Sequence, residues 1–265
     1  MKLLRFISPE TGRAVVGELR DELIYPYCEG TDLIRVLLEK RPAPDDAPAL
    51  PYKEVEVLQP YVPSVIYGIG LNYAKHPYRE AYRMPVKPDV PIIFTKGPCA
   101  AAGPFDCIAK PAVTKELDYE GELALVMGES GEVAGFCTAN DLTMRDLQRS
   151  EKQWARAKGF DASCPFGPWI TSADEAADWP SRHLRTHVNG ALRQDIALGE
   201  MIFKPHEMIA AISETNTLRP GDLILTGSPF GTGISMTPPV FLEAGDTVEV
   251  EIDGLGAIRN QIVNR

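Results

Sequence analysis

The chain has 265 residues, 44% of them apolar and 24% charged, and a formal net charge of −10 at pH 7. A chain this long removes roughly 70–75% of its unfolded surface from water, which excludes whole-chain disorder and any need for disulfide staples. The acidic balance opposes phosphate backbones, so no nucleic-acid partner is expected. No apolar run reaches the ~18 residues of a membrane span, and the start, Met1 to Ser8, is too short in its apolar part for a signal peptide; a cytoplasmic protein with no membrane partner is expected.

The 22 glycines and 23 prolines predict many turns and few long helices. Residues 4–7 and 13–19, joined by the Glu10-Thr11-Gly12 turn, predict a hairpin. Residues 32–39 carry apolar positions at helical spacing after a Thr31 or Asp32 cap. The proline-rich stretch 41–48 reads as a linker, and a boundary near residue 58 divides a small β-rich domain (1–58) from a large domain (59–265). Short apolar runs at 65–70 and 91–96 predict buried strands. A strand is predicted from Asp118 through residue 128, and two more at 221–226 and 245–252. In the last of these, Val248, Val250 and Ile252 alternate with Glu249, Glu251 and Asp253, the pattern of a sheet with one wet side. In the large domain, helices are predicted only at 142–154 and 206–213. Without strand–helix alternation, the pattern fits a mixed β (α+β) fold with few peripheral helices, rather than a nucleotide-binding or barrel fold of the βα kind.

Five cysteines, with no C-x-x-C pair, give neither a disulfide framework nor a thiolate zinc site. The densest chemical signal is Asp118-Tyr119-Glu120-Gly121-Glu122. Residues two apart on a strand share a face, so three carboxylates would point the same way. Exposed, they are a solvated strand face. Buried, they repel one another unless a cation lies among them, and an all-oxygen set selects Mg²⁺, Mn²⁺ or Ca²⁺. Ala124 and Val126 continue the same face and tilt it inward. Asp141 reads either as a helix cap or as a further carboxylate of that cluster, with Arg145 and Gln148 one and two turns beyond it on the same side. His76, one of four histidines, stands before Pro77 with Glu80 one helical turn on, a spacing that lets a carboxylate orient a base; an ordinary surface histidine is the alternative. His183 and His187 fall on an alternating strand and read as surface, and His206 as a helix start. Gly68-Ile69-Gly70 lacks the third glycine of a dinucleotide loop. Lys158 stands among aromatics beside Gly159. The glycine-rich loop after Leu225 carries Ser228 and can offer N–H and hydroxyl groups to a carboxylate.

In chain order, Gly70 to His76, Asp118 to Ala124, Asn140 to Gln148, Lys158 to Pro168, Asn189-Gly190 and Pro220 to Pro229 make a set that is similar to the fumarylacetoacetate hydrolase family, from about residue 62 to the end. The resemblance implies a β-sandwich roll, a homodimer, and Mg²⁺ (or Mn²⁺) held by Glu120, Glu122 and Asp141, with Asp118 outside the ligand set. It implies a base at His76, a catalytic and substrate-binding lysine at Lys158, and substrate contacts at Gln148 and Ser228, with Arg145 beside them. The pattern departs at one place. Three residues after His76 stands Arg79, and the glutamate comes one later, at Glu80. The distal substrate pocket falls to Tyr78, Tyr82, Met84 and Phe230.

The expected activity is metal-dependent hydrolysis of a C–C bond in a small 2-oxo acid of acylpyruvate or fumarylpyruvate type, with His76 and Glu80 activating water. The alternative on the same metal is oxaloacetate-type decarboxylation or isomerisation of a hydroxy-dienedioate, and a third reading is a non-catalytic metal-dependent binding protein.

Overall fold

A computed structural model describes residues 1–44, 48–75 and 85–265. The Glu10–Gly12 turn joins β1 (Lys2–Ile7) to β2 (Ala14–Arg20), antiparallel with Ile7 opposite Ala14. Strands β3 (Leu23–Pro26) and β4 (Leu50–Pro51) extend this meander, and β5 (Val57–Leu58) returns to β1. Helix α1 (Leu33–Glu39) begins at Asp32, whose carboxylate accepts the Arg35 N–H at 2.8 Å, as the sequence leads one to expect of a cap. Then come β6 (Ile66–Gly70), β7 (Ile92–Lys96), β8 (Ala101–Ala102), β9 (Ile108–Lys110), β10 (Leu117–Asp118), β11 (Gly121–Met127), β12 (Val133–Asn140) and β13 (Thr143–Met144). Two short helices follow, α2 (Arg145–Ser150) and α3 (Ala155–Lys158), then β14 (Cys164–Ser172), β15 (His183–Val188) and β16 (Ala191–Ala197). The chain ends with α4 (Pro205–Ser213), β17 (Leu223–Leu225), β18 (Thr247–Ile252) and β19 (Gly256–Asn264).

The fold is mixed α+β and dominated by sheet. The large sheet runs β4-β3-β2-β1-β14-β12-β11-β17-β6-β7, with β5 on β1 and β8 on β14; the second runs β16-β15-β18-β19-β9. In β18, Val248, Val250 and Ile252 are buried and the residues between them are not, the predicted wet-sided alternation. Strand β11 does not alternate. All its residues are buried, because both faces of the large sheet are covered. Leu123, Leu125 and Met127 join the core between the sheets, with Val250, Ile252 and Ile258. Ala124 and Val126 join a second core on the other face, with Leu3, Val36, Ile66 and Leu225. All five cysteines are unpaired. Among the described residues, no helix is long and apolar enough to cross a membrane.

Two expectations are corrected. The strand from Asp118 is not continuous: β10 pairs with β13 and β11 with β12, and both ladders are interrupted between them, at Tyr119–Glu120 on one side and Asp141–Leu142 on the other. The helix expected over 142–154 is two short helices, because Thr143 and Met144 are drawn into pairing with Leu117 and Asp118, and the Arg145 N–H is held by the Glu116 carbonyl at 2.8 Å.

The first 58 residues add strands to the large sheet: β1 pairs with β14, Leu3 opposite Ile170. The division at residue 58 therefore becomes a question about folding units. Leu3, fully buried in the core that holds Ile66 and Leu225, is the residue to test it with. Leu3→Ala is expected to cost about 2–5 kcal/mol and to lower the melting temperature of the whole chain in one transition. A main transition that stays in place would show the first segment unfolding by itself.

Candidate metal centre

The ladder interruption is where three acidic side chains converge. At that level the Glu120 backbone bonds the last residue of β12 and the irregular residue after it: its N–H donates to Asn140 Oδ1 at 2.9 Å, and its carbonyl accepts the Asp141 N–H at 2.8 Å. Glu120, Glu122 and Asp141 are buried, and each offers a carboxylate oxygen within 4.8 Å of the others. Of the two sequence readings of Asp141, the structure selects the cluster. Helix α2 begins after Met144, so Asp141 caps nothing, and it does not share a helical face with Arg145 and Gln148. Asp118 does not share the acidic face either. Its carboxylate turns to Arg145 Nε at 2.8 Å and to the N–H groups of Gly233 and Ile234 at 2.7 and 3.1 Å.

Each member of the cluster has one oxygen fixed from outside. Glu120 Oε1 accepts from Arg145 Nη2 at 2.6 Å, Asp141 Oδ1 from Lys96 Nζ at 2.6 Å, and Glu122 Oε2 from the Gly227 N–H at 2.7 Å. Outer donors of this kind orient metal ligands and fix which oxygen faces the ion. Lys158 Nζ meets the remaining oxygens of the first two, Glu120 Oε2 at 2.7 Å and Asp141 Oδ2 at 2.5 Å, and also bonds Thr143 Oγ1 at 2.8 Å. It lies 4.9 Å from the Phe94 ring centroid, a cation–π contact. That ring packs over β6, where a Cβ on Gly68 would come within 2.1 Å of it. The Gly68-x-Gly70 pair is thus there for close packing rather than for a nucleotide.

Lys158 is 2% exposed. Burial pushes its ammonium toward neutrality, but Asp141 and Glu120 outweigh burial and raise its pKa, so it stays charged. Glu122 is also 2% exposed, and the one hydrogen bond to its carboxylate among the described residues comes from a neutral backbone N–H. Burial first, then Asp141 and Glu120, raise its pKa well above the ordinary carboxylate range. A buried carboxylate beside two others, with no cation bonded to it among the described residues, fits a site that accepts a hard divalent cation. The all-oxygen donor set suits Mg²⁺ or Mn²⁺.

The other expected residues are placed as follows. Gln148, buried, accepts from Arg145 Nη1 at 2.9 Å. Ser228 is buried and its hydroxyl accepts from Gln194 Nε2 at 2.8 Å. His76 and Glu80 lie outside the described residues, as do Tyr78, Tyr82 and Met84, and Phe230 is exposed. His183 and His187 are half-buried on β15 and His206 is exposed at the start of α4, all away from the cluster's bonds. Sequence reasoning missed Lys96. The signal was a lysine closing the apolar run Pro91 to Phe94, where a strand enters the core. It also missed the role of Asn72, whose side chain bonds the Thr226 carbonyl at 2.7 Å and both backbone groups of Phe203, so locking the loop that reaches Glu122.

The sequence profile described as fumarylacetoacetate (FAA) hydrolase C-terminal matches residues 65–263. Among curated relatives, the mitochondrial oxaloacetate tautomerase FAHD2B of Bos taurus is 43% identical over 229 residues, covering 82% of this chain and 72% of the relative. Among solved structures, a fumarylacetoacetate hydrolase from psychrophilic Exiguobacterium antarcticum superposes with a TM-score of 0.87 at 36% identity, covering all of both chains. A 5-carboxymethyl-2-hydroxymuconate delta-isomerase from Mycobacterium smegmatis gives 0.81 at 32% identity, again covering all of both chains.

The geometry makes Lys158 a competitor for the inward oxygens. In calorimetric titration with Mg²⁺, Lys158→Met is expected to bind the ion at least about tenfold tighter than the wild type, about 1.4 kcal/mol. Because the raised Glu122 pKa lets the metal-free protein hold a proton that the bound state cannot, binding releases protons and tightens as pH rises. Weaker binding by the variant, or a heat independent of the buffer's ionisation enthalpy, would contradict this arrangement.

Proposed function

The chain belongs to the fumarylacetoacetate hydrolase family, and on that premise we propose that it is a divalent-metal-dependent enzyme moving a proton on a small 2-oxo acid, as in the keto–enol interconversion of oxaloacetate. The observation that carries this reading is the convergence of Glu120, Glu122 and Asp141 beside the buried ammonium of Lys158. When bound there, the cation supplies Lewis-acid polarisation of the substrate's oxygens.

The chain's own groups do the rest. In enolisation the C–H bond beside the oxo carbon breaks, its electron pair moves into a carbon–carbon double bond, and the oxo oxygen takes up a proton. Lys158, charged and shielded from water, stabilises the negative charge developing on that oxygen. Gln148 has its carbonyl end occupied by Arg145, so its NH₂ group is the end that donates to a substrate carboxylate. Arg145 is a positioning residue, joining Asp118, Glu120 and Gln148. Ser228 donates to the carboxylate from the loop after β17. His76 is assigned as the base that carries the carbon-bound proton, with Glu80 orienting it.

The names of the tautomerase and isomerase relatives favour proton movement over hydrolysis, and so does Arg79 where the hydrolytic glutamate is usual. Hydrolysis of an acylpyruvate-type C–C bond is the second reading, supported by the Exiguobacterium hydrolase. One set of assays separates them: decay of enol-oxaloacetate by ultraviolet absorbance with Mg²⁺ and with EDTA, beside release of pyruvate and acetate from acetylpyruvate. Metal-dependent ketonisation, reduced at least about a hundredfold in Glu122→Gln, is expected. Metal-dependent release of both acids without ketonisation would establish hydrolysis instead, and ketonisation insensitive to EDTA would overturn the metal reading.

A further inference from the structure

We infer that Gln194 is a positioning residue that makes the Ser228 hydroxyl a hydrogen-bond donor to the substrate carboxylate and holds its loop in register with the metal-binding strand. The ligand class here rests on the proposed function. Gln194 belongs to β16 in the second sheet, is 1% exposed, and reaches across to the site. Its Oε1 accepts the N–H of Gly121, the residue between Glu120 and Glu122, at 3.0 Å. Its Nε2 donates to Ser228 Oγ at 2.8 Å and to the Pro229 carbonyl at 2.9 Å.

Two of these partners fix the amide's orientation. The Gly121 N–H can only donate and the Pro229 carbonyl can only accept, so a flipped amide would face two mismatches. Nε2 therefore points at Ser228 Oγ, which must accept. The serine's own proton must then go elsewhere, and no acceptor for it exists among the described residues. A buried hydroxyl is expected to satisfy its donor. Here the missing acceptor is supplied by a ligand oxygen, and a carboxylate in a site rich in cations is the chemistry that fits.

The same side chain sets distance. Gly227 bonds Glu122 directly, and Ser228 and Pro229 bond Gly121 through Gln194, so consecutive residues of the loop are tied to consecutive residues of the acidic segment. The approach is close: a Cβ on Gly121 would lie 2.3 Å from Thr186 Oγ1 and 3.2 Å from Gln194 Oε1. The second sheet thereby fixes where the carboxylate contact stands relative to the cation's ligands.

The test is a double-mutant cycle read by calorimetry, titrating Mg²⁺ and then oxalate, a planar stand-in for a 2-oxo acid, into wild type, Gln194→Met, Ser228→Ala and the double variant. Gln194→Met is expected to weaken oxalate about tenfold while leaving Mg²⁺ affinity within about threefold, and to add nothing in the Ser228→Ala background, since residues acting as a unit are not additive. Gln194→Glu, which keeps the size but turns the donor into an acceptor, is expected to weaken oxalate as well. Additive losses, or oxalate affinity unchanged in Gln194→Met, would overturn the proposal. If wild-type protein loaded with Mg²⁺ does not bind oxalate, the substrate class fails. The bridge is then judged without ligand by hydrogen exchange at the Gly121 amide, which must quicken in Gln194→Met, and unchanged exchange would overturn it.

Discussion

A carboxylate at 2% exposure, with two other carboxylates beside it and no cation bonded to it among the described residues, is an expensive thing to fold. Glu122 is in that position, and much of the surrounding structure is intelligible as a response. Lys96, Arg145 and Lys158 are themselves buried, and each is bonded to Glu120 or Asp141. Among the described residues, the Gly227 N–H alone serves the Glu122 carboxylate. Desolvation of a charge costs several kcal/mol even after relaxation. The arrangement is therefore economical only if the inward oxygens have a use, and a divalent cation gives them one.

The fold makes the convergence possible by a matched irregularity. Two neighbouring strands lose their ladder at the same level, and in a regular ladder the Glu120 backbone would not bond the Asn140 side chain and the Asp141 N–H as it does here. The flanking regular stretches keep the irregular segment rigid, because β11 is packed on both faces. Asp118 adds a second tie: by binding Arg145 and two N–H groups of the loop at Gly233, it couples the cation that holds Glu120 to the loop carrying Ser228. Rigid support of this kind favours a preorganised site over one assembled on binding.

Much of this was legible in the sequence wherever local chemistry decides. The Asp32 cap, the first hairpin and the alternation of β18 follow from turn residues and period-two patterning. The acidic cluster was legible in part, because Glu120, Glu122, Ala124 and Val126 share a parity that carries the acids inward. Where pairing partners are distant the reading gave out. Asp118 has the same parity as Glu120, but Tyr119 and Glu120 break the strand because of what Asn140 and Asp141 do opposite them, and no window of sequence contains both. Helix 142–154 failed for a similar reason, since its first residues are claimed by Leu117 and Asp118. Gln194 carries no local mark of its role, and Lys96 only its place at the end of an apolar run. Each is defined by a partner more than forty residues away, Asp141 for Lys96 and Gly121 for Gln194.

The central claim is that Glu120, Glu122 and Asp141 together hold one divalent cation. Anomalous scattering from crystals of the whole chain grown with Mn²⁺ tests it most directly. The account predicts one strong peak bonded to an oxygen of each of the three residues, and its loss in Glu122→Gln. A peak held elsewhere, or crystals in which Lys158 still fills the position between Glu120 and Asp141 at saturating Mn²⁺, would contradict it.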